Sequence, residues 1–80
     1  MPKAIHLSLT ADEFGLLFDG LCVREYAWRQ TAMLMREELP EDLSVCEECN
    51  GLEEAEALEL AYSKLVANIH QQYRDQMAGS

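Results

Sequence analysis

Basic residues are scarce in this 80-residue sequence, in which six Lys and Arg stand against fifteen Asp and Glu. The formal net charge is −9 at pH 7. Surfaces that bind nucleic acid or anionic membranes need Lys and Arg to neutralise phosphate. The charge balance therefore disfavours direct binding to nucleic acid and to membranes.

Long apolar runs are also missing, since no stretch approaches the roughly 20 residues of a transmembrane helix. The N-terminus lacks the pattern of a signal peptide. The chain has three Cys, an odd number, whereas a disulfide-rich secreted domain has an even number of Cys that pair with one another. We therefore expect a cytoplasmic protein with no membrane segment.

Catalytic motifs are absent as well: there is no phosphate loop, nucleophile elbow or metalloprotease helix. The two histidines, His6 and His70, have no acid or nucleophile partner that the sequence identifies. A chain of this length seldom encloses a substrate pocket without oligomerising. We expect that the protein is not an enzyme.

The N-terminal segment alternates apolar and polar side chains over residues 3–9, which is the pattern of a β-strand. Ile5, Leu7 and Leu9 share one side of that strand. No second strand pattern follows, and a lone strand must fray, lie against a helix or pair with a second copy. The predicted strand is the first indication of a homodimer.

A capping box opens the first predicted helix, because the Thr10 hydroxyl can accept from the Glu13 amide while the Glu13 carboxylate reaches back. Apolar residues then recur at three- and four-residue spacing until shortly before Pro40. This pattern predicts a helix over about residues 11–38, unless Gly20 breaks it.

The main apolar stripe of this helix contains Trp28 and Met35 and is interrupted by Glu25. Glu25 either pairs with Arg29 one turn later or is a buried polar residue that fixes the register of an oligomer. Trp28 is either a core residue or an interface anchor. A second stripe, which is a second indication of self-association, consists of Leu16, Val23, Ala27 and Leu34.

Residues 39–51 form a turn-rich acidic loop, and a second helix is predicted over about residues 52–77. From Glu37 to Glu59 there are ten acidic residues and no basic one. The predicted fold is mainly α, with residues 1–80 as a single domain. In this predicted fold, a short strand precedes two long antiparallel helices that form a hairpin. We expect two or more such hairpins to assemble into a homodimeric or tetrameric bundle.

The acidic loop contains the one metal-like motif, in which Cys46 and Cys49 have the spacing of half a tetrahedral zinc site. No second pair of ligands is evident, and His6, His70 and Cys22 are distant in the sequence. Either the fold gathers these ligands, or two copies pool their cysteine pairs, or Cys46 and Cys49 are two ordinary loop cysteines that bind no metal. Zinc is thus the one candidate cofactor, and otherwise none is expected.

The leading hypothesis is a non-enzymatic protein-interaction module, an acidic self-associating helical hairpin whose partner has a basic surface. An inhibitor or accessory protein of a nucleic-acid-binding protein is a specific version of it. A zinc-stabilised module is an alternative. The expected interface residues are Ile5, Leu7, Leu9, Glu25, Trp28 and Met35.

Residues 3–14 support another alternative, because a strand pattern followed by a capped helix resembles the opening of the ribbon–helix–helix family. The resemblance implies a dimeric DNA-binding regulator. The chain departs from that pattern at His6 and Ser8, which are not strongly basic, and in its acidic net charge. Its first helix is also too long, unless Gly20 breaks it.

Overall fold

The computed structural model describes residues 3–79. Two helices, α1 (Ala11–Met35) and α2 (Leu52–Ala78), run antiparallel and pack along their lengths. The connection between them (residues 36–51) contains one 3-10 turn, Leu43–Val45. The helical hairpin predicted from the sequence is therefore confirmed. Over the described residues, neither helix has an apolar stretch sufficient to cross a bilayer.

The start of α1 is fixed by the expected capping box. The Thr10 hydroxyl accepts from the Glu13 amide at 3.1 Å, and the Thr10 amide donates to the Glu13 carboxylate at 2.9 Å. The helix continues through Gly20 without a break. Its hydrogen bonds outweigh the roughly 1 kcal/mol that a glycine costs within a helix.

α1 ends at Met35, earlier than the predicted end at about residue 38. Glu37 has a φ of 64°, in the left-handed region. Its amide donates to the carbonyl of Leu34, and the Glu38 amide donates to the carbonyl of Met33. These two bonds form a Schellman motif, which stops the helix before Pro40 is reached.

The apolar core lies in the half of the hairpin that contains the connection. Trp28, Ala32 and Ala55 are buried there, with Leu58 and Tyr62 packed against them. We call residues 24–59 the closed end and residues 3–23 with 60–79 the open end. No apolar side chain of the described open end is fully buried.

The chain exposes more surface than a compact monomer of its size. Its accessible area is 6297 Å² for 9.1 kDa, whereas a compact monomer of that mass exposes about 4,900 Å². Its radius of gyration is 15.0 Å, against about 12 Å for a compact 80-residue domain. The hairpin is a single layer of two helices, so it leaves apolar surface uncovered.

The strand predicted over residues 3–9 is not formed in the single chain. These residues have no regular secondary structure and lie exposed in the open end. A strand needs a neighbour to complete its hydrogen bonds, and the described chain offers no second strand. The alternation of apolar and polar side chains in residues 3–9 is therefore not sufficient to form a strand within one chain.

Candidate functional site

A groove of about 510 Å³ lies at the open end, between residues 3–9 and the two helices. We call it the open-end groove. Its apolar lining comes from all three segments and comprises Ile5, Leu7, Leu9, Phe14, Leu17, Leu65, Ile69, Tyr73 and Met77. Three of the six interface residues predicted from the sequence therefore meet at one surface.

Aromatic rings close the base of this groove. Phe14 of α1 stacks on Tyr73 of α2 with ring centroids 4.4 Å apart and planes 8° from parallel. Phe18 continues the series, since its ring lies 5.5 Å from Phe14 and 5.6 Å from His70. Stacked rings thus hold the helices together where no aliphatic core exists.

One rim of the open-end groove is a row of amides on α2. Asn68, Gln72 and Gln76 follow one another at four-residue spacing and so lie along one side of the helix. The Gln72 amide donates to the Asn68 oxygen at 2.8 Å. Side-chain amides can both donate and accept, so this row is suited to contact an extended backbone.

Residues 3–9, which also line the open-end groove, expose both backbone and apolar side chains. Ile5 is 82% exposed and Leu7 72% exposed. Within residues 3–79, no hydrogen bond engages the backbone of residues 3–9. This segment therefore combines an unpaired backbone with an uncovered apolar side, which is the chemistry of an unpaired sheet edge.

The closed end has the opposite character, because the acidic residues gather there. Its ten carboxylates between Glu37 and Glu59, with Glu25, outweigh its three arginines and leave eight negative charges. The open end carries the one remaining net negative charge of the chain's nine. The acidic charge thus lies at the opposite end of the hairpin from the open-end groove, although single leucines such as Leu39 and Leu43 are also exposed at the closed end.

The three arginines of the closed end are all engaged by carboxylates. Three ion pairs have N–O distances between 2.5 and 3.0 Å, and they are Arg24–Glu47, Arg29–Glu25 and Arg36–Glu56. Arg36 also lies 3.4 Å from Glu38. Glu25 pairs with Arg29 as the first of its two alternatives predicted, and its side chain is 13% exposed. These pairs leave exposed carboxylates such as Glu41 and Glu48 for external contacts.

The pKa values at the closed end reflect this negative field. The hydrogen bond to Glu56 raises the pKa of Arg36, and the hydrogen bond to Glu25 raises that of Arg29. The pKa of Tyr26 is raised chiefly by desolvation and further by nearby carboxylates of the connection. In each case the nearby carboxylates favour the protonated form, which is the arginine cation or the neutral phenol.

Two buried polar residues of α1 hold the connection in place. The Gln30 side-chain oxygen accepts from the amides of Glu41 and Asp42 at 2.5 and 3.3 Å. The Thr31 hydroxyl accepts from the Glu47 amide at 2.7 Å and donates to the Ala27 carbonyl. The connection therefore folds back onto α1, and its acidic residues are presented from an anchored backbone.

Comparison with protein-family models, curated proteins and solved structures finds no match for this chain.

The folded-back connection also covers part of the second apolar stripe of α1. Ala27 is 4% exposed beneath it, whereas Leu16 is 78% and Val23 56% exposed further along the helix. The sequence pattern identified the stripe, but it did not show that Ala27 in the middle of it is buried. Leu16, Val23 and Leu34, which is 42% exposed, remain a second exposed apolar surface.

The two loop cysteines are half-buried and contact backbone carbonyls. Cys46 Sγ lies 3.9 Å from the Asp42 oxygen, and Cys49 Sγ lies 3.6 Å from the Gly51 oxygen. Cys49 also packs against the core. Within residues 3–79, no group of three or more potential ligands is gathered for a metal. The histidines lie at the open end, away from both thiols.

The other predicted interface residues do not join the open-end groove. Trp28 is in the core and 6% exposed, and Glu25 lies nearby on the same helix. Met35 is 37% exposed at the last position of α1. The structure thus brings together Ile5, Leu7 and Leu9, and leaves the others at the closed end.

Proposed function

We propose that this protein is a non-enzymatic interaction module that self-associates through its open end and contacts a basic partner with its closed end. One observation supports this above all: the apolar groove and the acidic surface occupy opposite ends of one hairpin. Each end has the surface chemistry of a different kind of contact.

Electrostatics favours the open end for self-association. Two closed ends, each with eight negative charges, repel one another, whereas two open ends bring only one net charge each. The part of α1 that belongs to the open end, residues 11–23, spans about 20 Å. That length exceeds the Debye length of about 8 Å at physiological salt. An open-end contact therefore keeps the acidic surfaces separated and screened.

The exposed area is also sufficient for a specific dimer. The accessible surface of 6297 Å² exceeds that of a compact monomer by about 1,400 Å². A standard interface buries about 800 Å² on each partner. Covering the open-end groove would therefore bring the chain towards the burial typical of its size.

The closed end is suited to a protein with a basic surface. Glu41 and Glu48 are exposed, while Gln30 and Thr31 anchor the backbone between them. A fixed cluster of one charge sign accelerates encounter with the opposite sign and disfavours wrong partners. If the partner itself binds nucleic acid, this surface competes with phosphate, and the module acts as an inhibitor or accessory protein.

A charge-reversal pair tests the closed-end contact, with a fluorescent lysine-rich peptide as the probe. The double variant Glu41→Lys, Glu48→Lys changes the closed end, and Asp19→Lys, Asp75→Lys changes the open end by the same amount. Fluorescence anisotropy should show binding to the unaltered protein that weakens with salt. The closed-end variant should lose about tenfold in affinity and the open-end variant much less. Equal losses, or no binding by the unaltered protein, would overturn the proposal.

A further inference from the structure

We propose that two copies of this chain exchange residues 3–9, so that each segment fills the open-end groove of the other copy. The two segments then form an antiparallel ribbon that lies between the two α2 helices. This inference rests on the proposed self-association and specifies the contact that produces it.

The first support comes from residues 3–9 themselves. Their backbone makes no hydrogen bond within the described chain, and Ile5 and Leu7 are among its most exposed apolar side chains. Every odd position from 5 to 9 is apolar and both even positions between them are polar. Such a segment gains both hydrogen bonds and apolar burial when another strand pairs with it.

The second support is the lining of the open-end groove, to which both residues 3–9 and the amide row on α2 contribute. A strand placed there has residues 3–9 on one edge and Asn68, Gln72 and Gln76 on the other. Nine helical residues from Asn68 to Gln76 extend about 12 Å, the length of roughly four strand residues. The amides can therefore satisfy the outer edge of a short incoming strand.

The third support is that residues 3–9 are self-complementary. In an antiparallel pair centred on Leu7, Leu7 faces its own copy and Ile5 faces Leu9, so all the apolar side chains share one side. His6 then faces Ser8 on the other side. The assembly is also symmetric about a two-fold axis, because the α2 helix of each copy lies next to the strand of the other copy. This symmetry closes the assembly at two chains.

Charge agrees with the same register. Residues 3–9 contain Lys3 and no acidic residue. With Leu7 at the centre, Ala4 of one copy lies opposite Thr10 of the other, so the neighbouring Lys3 comes to the start of α1, whose first turn contains Asp12. The exchange therefore places a cation near a carboxylate, whereas a contact between closed ends would place carboxylates together.

The competing contact is the exposed second stripe of α1, where Leu16 is about as exposed as Leu7. Three lysine variants separate the possibilities: Leu7→Lys within the exchanged segment, Leu16→Lys on the second stripe, and Leu60→Lys as a control. Leu60 lies on α2 outside the groove and is 55% exposed. All three substitutions add the same charge to an exposed leucine.

Sedimentation equilibrium on the full chain measures the dimer dissociation constant of each variant. Leu7→Lys should weaken the dimer by about a hundredfold, because two lysines would face each other in an apolar contact. Leu16→Lys and Leu60→Lys should change it by less than about threefold. Circular dichroism should show that all three variants keep the helices of the unaltered protein.

Hydrogen exchange supplies the second measurement. In the dimer, the amides of residues 5–9 should exchange at least about tenfold more slowly than in Leu7→Lys. A dimer that survives Leu7→Lys but dissociates with Leu16→Lys would overturn the exchange and leave self-association standing. Unprotected amides in a stable dimer would also overturn it, leaving the groove to a different peptide or a small apolar ligand. A monomer at every concentration would instead overturn the proposed self-association itself.

Discussion

Phe14 and Tyr73 stack face to face across the open end, with ring centroids 4.4 Å apart, although they lie near opposite ends of the chain. This pair packs the two helices together at the open end, as Trp28 and the buried alanines do at the closed end. The difference is that the rings remain half-buried. The open end is therefore held together but not covered, and its stability depends on a few aromatic contacts.

Replacing Phe14 with Ala should destabilise the hairpin by about 2 kcal/mol, less than for a fully buried ring because Phe14 is half-buried. Urea denaturation at one fixed protein concentration measures the change, since a dimer's stability depends on concentration. A double-mutant cycle with Tyr73→Ala should give a coupling of about 1 kcal/mol. Leu16→Ala, on an exposed surface, should stay within about 0.5 kcal/mol. Additive effects at Phe14 and Tyr73 would show that the stack contributes nothing specific.

Replacing Thr31 with Val should destabilise the protein by about 1 to 2 kcal/mol, because the buried side chain keeps its shape while the Glu47 amide loses its acceptor. The Glu47 amide should also exchange faster with deuterium than in the unaltered protein. Thr31→Ser retains the hydroxyl and should keep that amide protected. Unchanged exchange at Glu47 in the valine variant would contradict the anchoring of the connection by Thr31.

Replacing Glu37 with Gly should stabilise the protein by about 0.5 kcal/mol. Glu37 has a φ of 64° in the Schellman motif, and glycine adopts that conformation without strain, although it also gives the unfolded chain more freedom. Thermal unfolding checks the direction of the change. Glu41→Gly removes the same charge where φ is not positive, so it should lower the melting temperature. A lower melting temperature for Glu37→Gly would contradict the assignment of strain to this position.

The helices could be predicted from the sequence because their signals are local. The capping box at Thr10 needs only residues three apart, and the apolar spacing of α1 and α2 needs only neighbouring turns. The end of α1 was predicted too late, since Pro40 was the visible stop signal while the left-handed Glu37 acted first. A non-glycine residue in that conformation leaves no clear mark in the sequence.

The candidate surfaces were only partly predictable, because they depend on contacts between distant segments. The alternation around Leu7 identified an apolar edge but could not supply the partner that a strand requires. Gln30 and Thr31 were missed, since two polar residues in an amphipathic helix normally face water. The negative charge of residues 37–59 was evident in the sequence. That this charge lies at the other end of the hairpin from the open-end groove could be seen only in the structure.

The most direct test of open-end self-association is the mass of the unaltered protein in solution, measured by sedimentation equilibrium across protein and salt concentrations. We expect a dimer of twice 9.1 kDa whose association strengthens as salt rises from about 0.01 M, where the Debye length is about 30 Å, to the physiological range. Over that range salt screens the repulsion between the acidic closed ends and does not weaken apolar contacts. A monomer at every concentration, or a dimer that dissociates as salt rises, would contradict an apolar open-end contact.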